Sequence, residues 1–367
     1  MEEIKFSLKY LYKNLVQYFF KLIYGNIIHR NSQKIDVKDN CKQIHSDSIR
    51  KLNGDCYSIY NLPKGRIYTD YVENVAIINN NNILSNASYQ QICGKIKSSK
   101  FNSTLYKGTP YFKKKFDGNV LNLTQGASSH SNYFHWLFDI LPKIKLFSEI
   151  YNLNKIHYFY LSALKDFQLR SLKILKLNNI KIIDSNKYRH ISADKIFAVD
   201  HPWYYKGYIL NEAKNLPDWL IKWIRHSFLK SASKFNNNDK IFIDRSESKF
   251  DHCQLQNNDE VWSFLKSKGF TKYKIGELTF EQQIYLFKKA KVIVGAHGAA
   301  FANLAFCSAN TKVIEIKPRE HPNYVSKTFA RINNLNLKII ETPKILQKKM
   351  KGDIYLNIKE LNKNLHL

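Results

Sequence analysis

Two short stretches of the chain place reactive residue types at spacings that chemistry can use. The first is Ser129 to Phe147, SHSNYFHWLFDILPKIKLF. At about 100° per residue, Phe134, Leu137, Phe138 and Leu141 form an apolar face, and Asn132, His135 and Asp139 share a neighbouring side. A carboxylate one turn from an imidazole can fix its tautomer and raise its basicity, or act as a base itself. The same pair on a solvated surface would be a contact worth roughly 0.2–0.5 kcal/mol. The second stretch is Lys291 to Lys317, KVIVGAHGAAFANLAFCSANTKVIEIK. A β-branched run turns at Gly295, and Ala296-His297-Gly298-Ala299-Ala300 leads into apolar residues at helical spacing. A second buried strand, Val313 to Ile316, follows.

In the second stretch, Gly295 and Gly298 permit backbone angles closed to other residues and let a ligand approach. The first N–H groups of the following helix then face that ligand, which makes phosphate the natural guest. The Gly-x-x-Gly spacing is neither a dinucleotide fingerprint nor a Walker loop, and a tight structural turn is the competing reading. His297 has no packing reason to stand among small residues. Arg245 follows the apolar run Ile241 to Ile243 and so belongs to the same sheet edge. It could fork onto phosphate oxygens, or close a loop salt bridge with Asp244 or Glu247. Glu315 ends an apolar strand, where carboxylates meet ribose hydroxyls, or it could pair with Lys317.

These residues need elements to hold them. Ser131 or Asn132 would cap the helix that carries His135, and Pro142 limits or kinks it near Leu141. Val75 to Ile78, an Asn-rich turn and Ile83-Leu84 read as a hairpin. Tyr158 to Leu161, Asp166 to Lys176, Lys181 to Ile183 and Ile196 to Val199 read as βα units. The second half alternates likewise: Lys240 to Ile243, Asn258 to Lys268, Tyr273 to Ile275, and Phe280 to Ala290. Asn257 with Glu260 and Thr279 with Gln282 stand at capping-box spacing. This alternation argues for two Rossmann-like, doubly wound α/β domains facing a cleft. The expected division is an N-terminal helix (1–30), a linker (31–54), α/β domains at 55–213 and 214–345, and a C-terminal tail (346–367).

The chain carries 58 Lys+Arg against 30 Asp+Glu, formal net charge +28, which implies acidic partners. The lysines are dispersed, with short clusters at Lys113 to Lys115 and Lys348 to Lys351, so charge alone selects no ligand. Five cysteines, odd in number and without Cys-x-x-Cys, fit a reducing compartment better than a disulfide framework. The N-terminus has acidic Glu2 and Glu3 and interrupting lysines, which suit neither a signal peptide nor a membrane span. Lys5, Lys9 and Lys13 recur opposite Phe6, Tyr10, Leu15, Phe19 and Leu22. That is a basic amphipathic helix, packed on its own domain or lying on an anionic membrane face.

In order along the chain, NYFHWLFDILPKI, IFIDRSESK with NNDEVWSFLKSKGF, and LTFEQQIYLFKKAKVIVGAHGAAFANLAF with VIEI resemble glycosyltransferase family 61. The likeness covers about residues 55 to 340, and the ordered set is more specific than any one motif. The family includes bacterial capsular polysaccharide proteins and eukaryotic xylosyl- and N-acetylglucosaminyltransferases. The resemblance implies a GT-B fold and inverting transfer from a nucleotide-sugar, usually UDP-linked, to a glycan or lipid-linked acceptor. It also implies no metal-binding Asp-x-Asp, and this sequence has none. Carried over by position, His135 and Asp139 are catalytic. Arg245, Gly295, His297, Gly298, Ala299, Ala300, Asn303 and Glu315 hold the donor. Relatives often carry a further arginine where this chain reads Asp251-His252-Cys253-Gln254, which leaves that phosphate contact absent or to Lys249 or His252. The resemblance also implies work on surface polysaccharide at the cytoplasmic membrane face, with no nucleic-acid partner. A non-catalytic module binding polyanions or nucleic acid is the alternative, and a dinucleotide oxidoreductase a weaker one.

Overall fold

The computed structural model describes residues 2–29, 41–51, 54–70, 75–88, 90–92, 95–124, 132–203, 213–246, 253–343 and 353–366. Among the residues singled out above, Ser129, Ser131, Glu247, Lys249, Asp251, His252, the cluster at 348–351 and the side chains of Glu2, Glu3, Lys5 and Phe6 lie outside this description. The chain forms two compact units, each discontinuous in sequence. The first takes Met1–Ser131, His135–Leu164 and Asn178–Ile209, and the second takes Asn132–Phe134, Lys165–Leu177 and Leu210–Leu367.

The first unit opens with helix α1, Glu2–Tyr24. Its strands are β1 (Cys41–Gln43), β2 (Ser58–Pro63), β3 (Arg66–Thr69), β4 (Val75–Asn79), β5 (Asn82–Ile83), a separate hairpin of β6 (Gln90–Ile92) and β7 (Lys95–Lys97), β8 (Lys114–Asn122), β9 (Tyr158–Leu161), β10 (Lys181–Asp184) and β11 (His190–Val199). All but the hairpin join one nine-stranded sheet, in order β10-β9-β8-β11-β3-β4-β5, with β2 also on β11 and β1 on β2. The neighbours β10, β9, β8 and β11 run parallel. Strands β2 and β3 lie antiparallel to β11, and β4 antiparallel to β3.

This sheet is therefore mixed, where two wholly doubly wound domains were expected. The reason is local. Strands β4 and β5 are joined by Asn80 and Asn81, both in the left-handed region (φ 45° and 59°), a turn that can only return the chain antiparallel. Helix α2, residues 133–148, follows β8 and carries the His135–Asp139 pair. Between β1 and β2 the chain is tied to the sheet through Ile44, whose amide bonds Tyr57, so part of the expected linker is an edge of the core.

The second unit comprises helix α3 (Asp166–Ile174), α4 (Asp218–Phe228), β12 (Lys240–Asp244), α5 (Asn258–Ser267), β13 (Thr271–Lys274), α6 (Phe280–Lys289), β14 (Val292–Ala296), the 3-10 helix Ala299–Phe306, β15 (Lys312–Pro318), α7 (Val325–Asn333), β16 (Asn336–Thr342) and α8 (Ile358–His366). Its five strands are all parallel, in order β13-β12-β14-β15-β16. Alternation along the strands gives the sheet two buried faces. Phe242, Val294, Ile314 and Ile340 pack with Val261 and Leu265 of α5 and with Ile354, Leu356 and Leu361. The segment read from sequence as a C-terminal tail thus supplies core. Ile241, Ile293 and Val313 are buried on the opposite face, where α4, α6 and α7 pack around the 3-10 helix.

Of the two capping boxes, Thr279–Gln282 forms in full at the start of α6. Asn257 instead turns its amide to both backbone groups of Leu356 and to Glu260, and makes no side-chain cap. The returning C-terminal strand outcompetes the helix end for it.

Candidate active site

In the second unit, β12 connects outward to β13, and the chain then crosses back to β14 on the other side of β12. The gap between the carboxyl ends of β12 and β14 is therefore the topological switch point of the sheet, where open α/β sheets hold ligands. Arg245 leaves β12 at that point and Ala296-His297-Gly298 leaves β14. The Arg245 guanidinium donates to the His297 carbonyl. It lies where a Cβ on Gly298 would stand.

Both glycines are thus required for space rather than for backbone angle. Gly298 is extended (φ 171°), and a Cβ on Gly295 would come within 2.8 Å of the Ile243 Cβ. Ala299 and Ala300 occupy the first turn of the 3-10 helix, where N–H groups have no partner within the helix. Asp244 does not close on Arg245. Its oxygens take the Ser246 amide (3.0 Å) and hydroxyl (3.1 Å), with Lys272 at 3.9 Å.

Behind the turn is a buried polar relay. His297 Nδ1 donates to Glu315 at 2.5 Å, and the Ser326 hydroxyl donates to the other Glu315 oxygen. Glu315 is wholly buried. The structure thus gives this carboxylate an imidazole to orient, in place of the ribose or Lys317 that the sequence offered. Lys317 donates to the Asn323 carbonyl at 2.8 Å and lies over the Tyr324 ring. His321 packs on His297 with ring centroids 4.4 Å apart. Asn303 is also wholly buried. It accepts from the Tyr133 hydroxyl (2.6 Å) and donates to Gln283 and the Ala300 carbonyl, so it braces the first helical turn from within.

Asn132 accepts the Phe134 amide at 2.9 Å and starts α2, which belongs to the first unit from His135 onward. Residues Trp136–Ile140 then form a π-turn, with the Leu141 amide bonded to the Trp136 carbonyl. The wider turn comes just before Pro142, which lacks an N–H and would crowd an ordinary α-helical turn. The helix therefore runs on to Ser148 where a stop or kink near Leu141 was expected. His135 Nδ1 donates to Asp139 at 2.7 Å, and the Trp203 indole donates to the second oxygen at 2.8 Å.

His201 completes the cluster. It accepts the Trp203 amide at Nδ1 (3.4 Å), which leaves its proton on Nε2, 3.6 Å from Asp139. Burial alone would raise the Asp139 carboxyl, but His135 and His201 outweigh it and hold it well below the usual range. Burial lowers the His201 imidazole against the pull of Asp139. Asp139 is therefore a fixed anion with both oxygens engaged, and His135 is the half-exposed member of the pair.

Lys143, one further turn along α2, is wholly buried, and burial brings its ammonium down to about 7. Between that value and the ordinary lysine range the unfolded chain binds the extra proton, so stability rises with pH through this window. The rise should be on the order of 2–4 kcal/mol in wild-type protein. It should be largely lost in Lys143→Met, as denaturant melts at pH 7 and pH 10 would record.

Sequence reasoning did not find His201, Trp203, Lys143, His321 or Ser326 as site residues. A signal existed for the first two, because His201-Pro202-Trp203 comes directly after the parallel strand β11, at the edge where loops carry function. The others are buried partners of predicted residues, and no spacing marks them.

These features define an α/β protein with a helix-borne imidazole–carboxylate pair in one unit and an arginine–glycine turn at the switch point of the other. The family model Glycosyltransferase 61 matches residues 133–314, which supports glycosyltransferase family 61 for this chain. The match takes in His135, Asp139, Arg245 and the Gly295–Ala300 turn, and ends one residue before Glu315. No curated protein matches the chain.

Proposed function

We propose that the protein is an inverting, metal-independent glycosyltransferase with a GT-B fold, which moves a sugar from a nucleoside-diphosphate donor, UDP-linked by preference. The acceptor is a glycan or lipid-linked glycan of surface or capsular polysaccharide at the cytoplasmic membrane face. The observation that carries the reading is the Arg245 guanidinium seated over Gly298 at the switch point, a cation and a helix start converging where a diphosphate would lie.

In this reading His135 is the base. Asp139 takes the proton on Nδ1, so the other ring nitrogen can accept the acceptor's hydroxyl proton. The hydroxyl oxygen bonds to the anomeric carbon as the bond to the diphosphate oxygen breaks, and the electron pair leaves with the nucleotide. Arg245 and the Ala299 and Ala300 amides meet that charge. Glu315 holds the His297 ring so that its far edge faces the ligand.

Calorimetry with UDP, GDP, CMP and NAD tests the donor assignment. Micromolar binding of one nucleoside diphosphate, lost in Arg245→Ala and His297→Ala, supports it. Binding of NAD alone would mark an oxidoreductase, and salt-sensitive binding of polyanions alone a binding module. Gly298→Ala should weaken nucleotide binding by about 10- to 100-fold, the worth of a charge-assisted hydrogen bond. Its melting temperature should hardly move, because only the far end of a flexible side chain must shift.

A further inference from the structure

Helix α1 presents its apolar side to solvent. Leu8, Leu11, Tyr12, Leu15, Tyr18 and Leu22 are 57–71% exposed. They fall within an arc of about 120° at helical spacing. The C-terminal end of the helix is nonetheless seated by its other side. Phe20 is buried with its ring edge on Phe112 (5.0 Å), Tyr24 meets His190 (4.8 Å), and Ile27 is buried just beyond. No described helix is long and apolar enough to cross a membrane. An apolar stripe this continuous on a helix anchored at one end calls for a partner.

The foot of the same helix forms one wall of a pocket of about 460 Å³. Ile23 and Tyr24 contribute from α1, with Lys64, Arg66, Lys113 and Lys115 around them. Arg66 and Lys113 both lie over the Tyr24 ring, at 6.0 and 5.3 Å, and the Lys113 amide donates to the Tyr24 hydroxyl at 3.0 Å. Among the described lining residues the carboxylate is Asp194, which accepts the Gly118 amide at 2.7 Å, and Lys115 pairs with exposed Asp117 at 3.0 Å. Burial lowers the pKa of Arg66 and Lys113, and Arg66 lowers Lys113 further, as expected of neighbouring cations.

We propose that this pocket receives the phosphate headgroup of an anionic lipid while α1 lies in the membrane interface with its Leu/Tyr stripe among the acyl chains. The occupant follows from the juxtaposition. Ile23 is exposed at the border of the apolar stripe and also lines the pocket, so a phosphate bound there would lie at the end of the stripe, as headgroup and chain do in one lipid. The tyrosines suit the interfacial layer, and the net charge of +28 favours an anionic surface. The inference is independent of the transferase reading, because its test measures no turnover.

The test is co-sedimentation of the full chain with vesicles of phosphatidylcholine, alone or mixed with phosphatidylglycerol. Strong binding to the mixed vesicles and little to the neutral ones is expected. Lys113→Gln with Lys115→Gln should weaken it roughly tenfold or more and flatten its salt dependence. Leu15→Glu with Leu22→Glu should abolish it. All four positions are solvent-exposed, so both double variants should melt as wild type does. Equal binding to neutral vesicles, or binding that the lysine pair does not affect, would overturn the headgroup site. Absence of vesicle binding, with a dimer that the leucine pair dissolves, would show the stripe to be a contact between copies.

Discussion

Asp139→Asn is expected to lower turnover by about 10³–10⁴, the loss seen when the carboxylate that orients a catalytic imidazole is made an amide. The substitution keeps the shape, and the Trp203 indole can still donate to the amide oxygen at this site. What changes is the proton on His135. A carboxylate accepts from Nδ1, whereas an amide nitrogen placed there would donate and push the ring proton to the reactive edge. KM for the donor should stay within a few-fold, because the residues proposed to hold the donor belong to the other unit. His135→Gln should lose as much, and the double variant little more, since the two act as one device. A loss in Asp139→Asn confined to KM would refute the orienting role. Acid stability carries a second signature. A carboxyl held below its unfolded value stabilises the protein above that value, and the contribution fades as pH falls toward the folded one. Asp139→Asn should therefore flatten the acid side of the stability profile.

Arg245→Ala should reduce turnover about 10²–10³-fold while leaving the fold intact, the range for removing one preorganised donor from a developing negative charge. The guanidinium is half-buried and rests on a carbonyl and a glycine, not in the apolar core, so its removal opens no core cavity. Arg245→Lys should recover part of the rate. An ammonium supplies the charge but not the planar fork that reaches two oxygens. Near wild-type activity in Arg245→Ala with the true donor and acceptor would remove the leaving-group role.

Much of this arrangement could be read from residue order, and the gaps have physical causes. The sites on β12 and β14 were visible because a buried parallel strand reads as a short apolar run and its loop starts at the sheet edge. The His135–Asp139 register followed from helical spacing alone, since the wider turn opens within the same stretch without separating the pair. The antiparallel half of the first sheet was harder. The Asn80–Asn81 turn was visible, but β2, β3 and β4 all carry apolar runs that suit either direction of pairing. The roles of Glu315 and Asn303 were not visible either. Whether a polar residue at a strand or helix end faces a ligand or a neighbour depends on side chains from distant sequence, here His297 and Ser326 for one and Tyr133 and Gln283 for the other.

The discontinuity of the two units bears on how such a protein can change. Lys165–Leu177 lies between two strands of the first unit yet belongs to the second, where Arg170 reaches Glu281 and Phe167 meets the Tyr133 ring. A gene fragment beginning at Leu210 would encode the whole parallel sheet but neither the helix that meets Glu281 nor Tyr133, which bonds Asn303. Recombination that replaces this unit cannot therefore exchange a single uninterrupted cassette. Either the helix at 166–174 and the segment at 132–134 travel with it, or the incoming sheet must accept the resident ones. Under the proposed donor assignment, point substitution around the switch point is the less encumbered route to a new specificity.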